Sequence, residues 1–159
     1  MQSLPTLTAD LCDALGDGVQ VLALDWRDYG SVRRFSGPAA TVATRDDNGL
    51  VRALLEQPGE GRVLVVDNGG ARRCAMVGGN LGALAARNGW AGVVIYGLVR
   101  DTAELAEQPV GIKALGSCPR PPVKRGVGTL DTLVNIDGVS IRPGDRIVAD
   151  EDGVVVVPA

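Results

Sequence analysis

Gly78-Gly79-Asn80-Leu81-Gly82-Ala83-Leu84-Ala85-Ala86-Arg87-Asn88-Gly89-Trp90, continued by Ala91-Gly92-Val93-Val94-Ile95-Tyr96-Gly97 and reaching Arg100-Asp101, decides the fold of this chain. A glycine pair opens an apolar run spaced for a helix, and Gly89 closes it. A strand-length apolar run follows, and a cation stands beside a carboxylate where it ends. A helix N-terminus has unpaired N–H groups and is a ready anion site. The Arg100 guanidinium can grip a carboxylate with two N–H groups, and Asp101 can hold a hard metal cation. Together Gly78, Gly79, Asn80, Leu81, Arg100 and Asp101 suit a small, anionic, metal-chelating molecule such as a 2-oxo acid.

The flanking sequence extends this alternation in both directions. Asp10–Leu15 reads as a short helix capped by Thr8 and stopped by Gly16. A strand is expected within Phe35–Thr44, and Asp46-Asp47-Asn48 offers cap chemistry for a helix through Leu50, Ala53, Leu54 and Leu55. Arg62–Asp67 is a buried strand running into Asp67-Asn68-Gly69-Gly70. After the central helix (Gly79–Asn88) and strand (Gly92–Tyr96), Thr102–Ala106 suggests a helix and Val110–Ala114 a strand. Strands alternating with helices imply right-handed parallel crossovers.

Ser117–Gly128 is Pro-rich and basic, a loop with no regular structure of its own. Beyond it Leu133–Ile136, Val139–Ile141, Arg146–Ala149 and Val154–Val157 are β-type runs. Asp137-Gly138, Pro143-Gly144-Asp145 and Asp152-Gly153 separate them as hairpin signals. The expected architecture is α/β, a parallel portion followed by C-terminal antiparallel strands in one domain over residues 1–159.

Each candidate group has a plainer alternative. A glycine turn can serve close packing of helix on strand as readily as anion binding. Arg100-Asp101 in isolation would be a surface pair; its place outside a strand's carboxyl end, where α/β sheets bind ligands, favours function. Asp67 is expected to cap its loop, and Asp150-Glu151-Asp152 to form a turn rather than a metal cluster. Lys113 and Lys124 could bind an anion or form a Schiff base, though Lys113, within a strand, is expected to face solvent. Arg72-Arg73 is expected to be a solvated pair.

Composition excludes several classes. The 159 residues carry a net charge of -3 and only 3% aromatics, so neither a basic face nor a stacking platform for nucleic acid is expected. Three widely spaced cysteines support neither structural zinc nor a disulfide framework, and reduced thiols in a cytoplasm are the expectation. Met1–Pro5 shows no signal-peptide pattern, and no apolar run is long enough for a membrane span. There is no histidine, which removes the usual general base and the Ser-His and Cys-His pairs. Neither Asp67-Asn68-Gly69-Gly70 nor Gly126-Val127-Gly128 completes a G-x-G-x-x-G turn, so a dehydrogenase or methyltransferase has little support.

With Asp46–Leu50, Gly61–Asp67, Gly78–Leu81, Gly92–Asp101, Gly111–Ala114, Pro143–Asp145 and Asp150–Gly153 in order along it, the whole chain resembles the regulator of ribonuclease activity A family. That family is similar to the 4-hydroxy-4-methyl-2-oxoglutarate aldolases, class II pyruvate aldolases. The resemblance implies a swivelling β/β/α fold, a homotrimer, and a site near a subunit boundary. It also implies that the Gly78–Leu81 amides and Arg100 hold the substrate, with Asp101 ligating Mg²⁺ or Mn²⁺. Members are known to bind and inhibit ribonuclease E, so a non-catalytic regulator is the competing expectation. The aldolases carry an Asp where this chain has Gly79, which resembles the acid that orders metal-bound water. Its loss is expected to hinder aldol cleavage more than decarboxylation of oxaloacetate.

Overall fold

The computed structural model describes residues 3–159; Met1 and Gln2, which begin the segment read for a leader, lie outside the described residues. In chain order the elements are α1 (Thr8–Leu15), β1 (Gln20–Val21), β2 (Arg27–Asp28), β3 (Phe35–Ala43), α2 (Gly49–Leu55), β4 (Val63–Asp67), β5 (Ala75–Val77), α3 (Gly79–Arg87), β6 (Gly92–Val99), α4 (Thr102–Leu105), β7 (Gly111–Ser117), β8 (Thr129–Leu130), β9 (Val134–Ile136), β10 (Val139–Ile141), β11 (Arg146–Asp150) and β12 (Gly153–Val157). One mixed sheet runs β1-β12-β11-β3-β4-β6-β7-β2, with β5 on β6 and β8 on β3.

The parallel heart of the sheet is β3, β4, β6 and β7. Alternation along β4 decides which side each residue serves. Leu64 and Val66 join the core under α2 and α3, while Val63 and Val65 join the core on the opposite face with Val134, Ile136 and Ile141 of the β9–β10 hairpin. Every residue of β4 is buried, as a strand covered on both faces requires.

β3 works in two registers. Phe35–Pro38 pairs antiparallel with β11, whereas Ala39–Ala43 pairs parallel with β4. Pro38, which has no N–H to donate, stands at the switch. Phe35, the chain's one phenylalanine, covers the paired glycines Gly92 and Gly111 that begin β6 and β7. A Cβ at Gly92 would lie 2.3 Å from the ring and one at Gly111 only 2.0 Å, so neither position has room for a side chain.

Several sequence expectations need correction. Thr8 is the first residue of α1 rather than its cap; its N–H and hydroxyl both donate to the Asp150 carboxylate, at 2.8 and 2.7 Å. A carboxylate from β11 thus satisfies the start of α1. β5 is a strand too short and too close to the preceding loop for its pattern to stand out. β6 runs on to Val99 because β5 and β7 pair with its far end. Pro143-Gly144-Asp145 makes no hairpin: β10 pairs only with β9, and the turn carries the chain from that small sheet into the large one. Asp137-Gly138, both at positive φ, does make one.

Lys113 does not face solvent. It is 1% exposed, and its Nζ donates to the Asp150 carbonyl at 2.6 Å and lies 3.1 Å from Asp28 Oδ1. Its register partner Val94 points into the core shared with β9–β10, so the ammonium crosses that core to reach the end of β11. Among the described residues no helix is long and apolar enough to cross a membrane. Lys113→Met strands the Asp28 carboxylate and is expected to cost about 3 kcal/mol in chemical denaturation. Pairing it with Asp28→Leu should recover part of that loss. A double variant no more stable than the single one would show that the loss does not come from the stranded charge.

Candidate active site

Parallel pairing brings the carboxyl ends of β5 and β6 side by side, and the chain leaves them at Gly78 and Arg100. Arg100 N–H donates to the Val77 carbonyl at 3.0 Å, which fixes the spacing between the two exits. Asp101 then turns back at φ 56, a left-handed conformation that Asp tolerates better than most residues. From there its Oδ2 accepts the Gly79 N–H at 2.9 Å. A carboxylate from one strand end therefore caps the helix that begins at the other, as a negative charge at a helix N-terminus should. A Cβ at Gly78 would come within 2.8 Å of Asp101 Oδ2 and 3.3 Å of Arg100 Cγ, so glycine is needed there for the close approach.

Gly78, Gly79, Asn80, Leu81, Arg100 and Asp101 all line one cleft of about 390 Å³. Among the described residues, the Asn80 and Leu81 N–H groups have no protein acceptor, since the first backbone bond of α3 is Gly82 N–H to Gly78 O. The cleft floor thus offers two free amides, the Arg100 guanidinium and one carboxylate.

The opposite wall was not legible as a site. It consists of Asn48, Gly49 and Arg52 at the start of α2, with Pro122, Lys124, Arg125 and Gly126 from the Pro-rich loop. Although it has no helix or strand over 118–128, this loop is tied down. Val123 exchanges bonds with Asp46 and Asn48, and Arg120 O accepts the Ala75 N–H at 2.9 Å. The Asp47 carboxylate accepts four backbone N–H groups, those of Gly49, Arg125, Gly126 and Val127, at 2.9 to 3.2 Å. Burial works to raise the Asp47 pKa, but these four donors outweigh it and hold the carboxyl below its ordinary value. Asp46-Asp47-Asn48 had been legible only as helix-cap chemistry; one residue serves both the cap and the loop.

Other candidates take plainer roles. Asp67 Oδ1 accepts the Gly69 N–H at 2.8 Å and caps its loop. Asp150 serves Thr8 and the Asp152 N–H of its own turn, and Glu151 pairs with Arg34. Arg73 is paired with Asp46 at 2.7 Å rather than solvated alone. Cys74 is no thiolate nucleophile: burial, then the nearby Asp46 charge, push its thiol up to about 11.

Glu104 was missed. Its Oε2 lies 1.9 Å from where a Cβ on Gly79 would stand, so α4 lays a carboxylate over the very spot that glycine leaves bare. The want of a side chain at residue 79 therefore does not leave this edge without an acid.

No group of three or more His, Cys, Asp or Glu among the described residues is placed to hold a metal. A cation here would rest on Asp101 alone, with ligand and water completing its shell, which is how Mg²⁺-type cations are commonly held. Asp101 fits that role: Oδ2 is used by Gly79, and Oδ1 has no hydrogen-bond donor among the described residues.

A family model described as RraA-like, Aldolase/RraA, matches residues 8–156. The chain is 53% identical over 152 residues, covering 96% of each chain, to a Laribacter hongkongensis protein named "Putative 4-hydroxy-4-methyl-2-oxoglutarate aldolase". Among solved structures it is similar to one titled S-adenosylmethionine: 2-dimethylmenaquinone methyltransferase from Geobacillus kaustophilus. That match has 47% identity and a TM-score of 0.93, over 96% of this chain and 94% of the other. It is also similar to the RNA-processing inhibitor RraA from Thermus thermophilis (42% identity, TM-score 0.92, covering 99% and 94%).

Because Asp47 anchors the far wall, Asp47→Asn is expected to lower the thermal midpoint at neutral pH, by on the order of 2 kcal/mol in stability. The Asp46, Asp47 and Asp150 carboxyls all sit below their ordinary value, so the unfolded chain binds more protons than the folded one as pH falls. Stability should therefore hold from neutrality to about pH 5 and drop below about pH 4. Thermal scans across pH should show a shallower acid decline in Asp47→Asn than in the parent.

Proposed function

Since the chain belongs to the RraA-like, Aldolase/RraA family, we propose that it is a divalent-metal-dependent carbon–carbon lyase acting on small 2-oxo acids. The observation that carries this reading is the Asp101 carboxylate, fixed by Gly79 N–H and set beside Arg100 and two free helix amides in one cleft. The substrates are 4-hydroxy-4-methyl-2-oxoglutarate and oxaloacetate, which share a 2-oxo acid head and a scissile C3–C4 bond.

Asp101 would hold Mg²⁺ or Mn²⁺, which when bound supplies Lewis acidity toward the 2-oxo acid's ketone. Arg100 binds and orients the head carboxylate through its planar fork. The Asn80 and Leu81 N–H groups, aimed into the cleft from the positive end of α3, stabilise the oxyanion that gathers as C3–C4 breaks. The bond's electron pair moves toward the ketone oxygen, leaving the enolate of pyruvate. Carbon dioxide departs from oxaloacetate; from the aldol substrate a second pyruvate departs once its C4 hydroxyl loses a proton. A proton from solvent at C3 completes pyruvate. With no histidine in the chain, the hydroxyl proton falls to a carboxylate or to water. With Asp101 reserved for the cation, Glu104, over Gly79, is the second acid beside the α3 N-terminus.

Methyl transfer has no G-x-G-x-x-G turn to rest on after β4, where Asp67-Asn68-Gly69-Gly70 stands. The likeness to an RNA-processing inhibitor supports a second reading, a protein regulator of ribonuclease E that need not turn over substrate. Exposed Val123, Val127, Leu130 and Leu133, on or just after the cleft loop, support a subunit interface on that side, and the homotrimer is what the family resemblance implies.

Pyruvate release from each substrate, with the metal-only background subtracted, tests the lyase reading. Asp101→Ala should abolish the protein-dependent rate. Arg100→Ala should lower it by about 3 kcal/mol of transition-state stabilisation, the scale of losing one oxyanion donor. An undiminished rate in Asp101→Ala would leave the regulator reading in its place.

A further inference from the structure

The segment that leaves β7 crosses to β5 before it becomes the Pro-rich loop. Cys118 N–H donates to the Val99 carbonyl at 2.9 Å, and the Arg120 carbonyl then accepts the Ala75 N–H at 2.9 Å. This crossing lays Cys118 beside the residues that lead into β5. Its Sγ lies 3.9 Å from the carbonyl oxygen of Arg73, the residue peptide-bonded to Cys74. Cys118 is half-buried and Cys74 buried. Burial, then Asp46, then the Cys118 charge push the Cys74 thiol up to about 11, so the two sulfurs stand close enough to feel one another. Cys12, the third thiol, belongs to the separate small core of Leu11, Val19, Val148 and Val155.

Both thiols make contacts that bear on the cleft. Cys74 donates to Asp46 Oδ1 at 3.4 Å. The same Asp46 carboxylate accepts from Asn68 and Arg73, and the Asp46 carbonyl accepts the Val123 N–H of the cleft loop. Cys118 lines a small cavity with Arg100, Asp101, Thr102, Ser117 and Pro119. The carbonyl of Pro119, the next residue, is the acceptor for Arg100 Nη1 at 3.5 Å. The thiol pair therefore stands behind both the anchor of the loop and the Arg100 guanidinium.

We infer that Cys118 and Cys74 form a redox-modification site, at which a low-molecular-weight disulfide closes a Cys74–Cys118 bond and weakens the hold of the cleft on an anionic ligand. Half-buried Cys118 reacts first. Its thiolate attacks one sulfur of oxidised glutathione, the glutathione S–S bond breaks, and one glutathione leaves as a thiolate that takes up the proton Cys118 gave up. Cys74, its own proton passed to solvent, attacks Cys118 Sγ and expels the second glutathione thiolate, which is protonated in turn. Two protein thiols are oxidised and one disulfide is reduced to two thiols, so electrons and protons balance. A disulfide holds its sulfurs about 2 Å apart. Closure therefore takes Cys74 from Asp46 and draws Cys118, with the Pro119 carbonyl, away from Arg100. Disulfides formed in a reducing compartment are typically transient and redox-sensing. The effect on the ligand rests on the 2-oxo acid reading of the cleft; the bond itself does not.

The test is oxidation of the folded protein by oxidised glutathione in a Cys12→Ser background, followed by peptide mass mapping and by oxalate binding with Mn²⁺ present. Glutathione should appear on Cys118 at early times. A Cys74–Cys118 linkage should replace it at late times, and dithiothreitol should restore both thiols. Cys74→Ser should stop at the Cys118 mixed disulfide, and Cys118→Ser should take up no glutathione at buried Cys74. The linked form should bind oxalate about fivefold more weakly than the reduced form, less than the loss of a whole charge-assisted contact. Cys118→Ser should show no such loss after the same treatment. Oxidation of the Cys12→Ser protein that ends at the mixed disulfide, with Cys74 still free, overturns the site. A linked protein with unaltered oxalate affinity overturns its coupling to the cleft. If neither form binds oxalate, the 2-oxo acid reading fails and takes the effect on the ligand with it, while the mass map still decides the linkage.

Discussion

Parallel pairing of β4, β6 and β7, with β5 added at the far end of β6, is the constraint from which the other features follow. Parallel strands need crossovers, and the crossovers place α2 and α3 on one face. They also deliver every strand's carboxyl end to the same edge. The hydrogen bond from Arg100 N–H to Val77 O makes neighbours of residues that the sequence separates by a whole helix. Once they are neighbours, Asp101 can reach back to the Gly79 N–H. The cleft is a product of sheet register before it is a product of any side chain.

The opposite wall depends on a different kind of economy. Proline and glycine deny 118–128 a regular ladder, so the loop's backbone polar groups need partners from elsewhere. Asp47 supplies three of them while also serving α2, and Asp46 and Asn48 hold Val123. A like arrangement recurs at the other end of the molecule, where Asp150 satisfies the start of α1 with its carboxylate and the Lys113 ammonium with its carbonyl. Two buried carboxylates thus satisfy backbone N–H groups, in a loop and at a helix start, that no regular ladder reaches.

The parallel portion was legible because buried strands and an amphipathic helix leave strong apolar patterns, and the α3–β6 boundaries fall where the glycines put them. Arg100 and Asp101 could be read because a charge pair at a strand exit has few structural uses. Lys113 could not, since its burial is set by Asp28 and the Asp150 carbonyl, far away in sequence. The second wall was equally hidden: nothing local in Asp47 says that its acceptor capacity goes to residues some 80 positions on. Glu104 follows the same logic, because only the packing of α4 on α3 sets its carboxylate over Gly79. The family likeness at 53% identity supports the lyase assignment more than any single motif does.

On the proposed reading, Asp101 and the α3 N-terminus together hold a divalent cation and a 2-oxo acid head. Electron paramagnetic resonance of Mn²⁺ titrated into the protein, with and without oxalate, tests it most directly. The expected result is a protein-bound signal that tightens when oxalate is added and is lost in Asp101→Asn, with the fold of that variant intact. A bound signal that is indifferent to oxalate and unchanged in Asp101→Asn would contradict it.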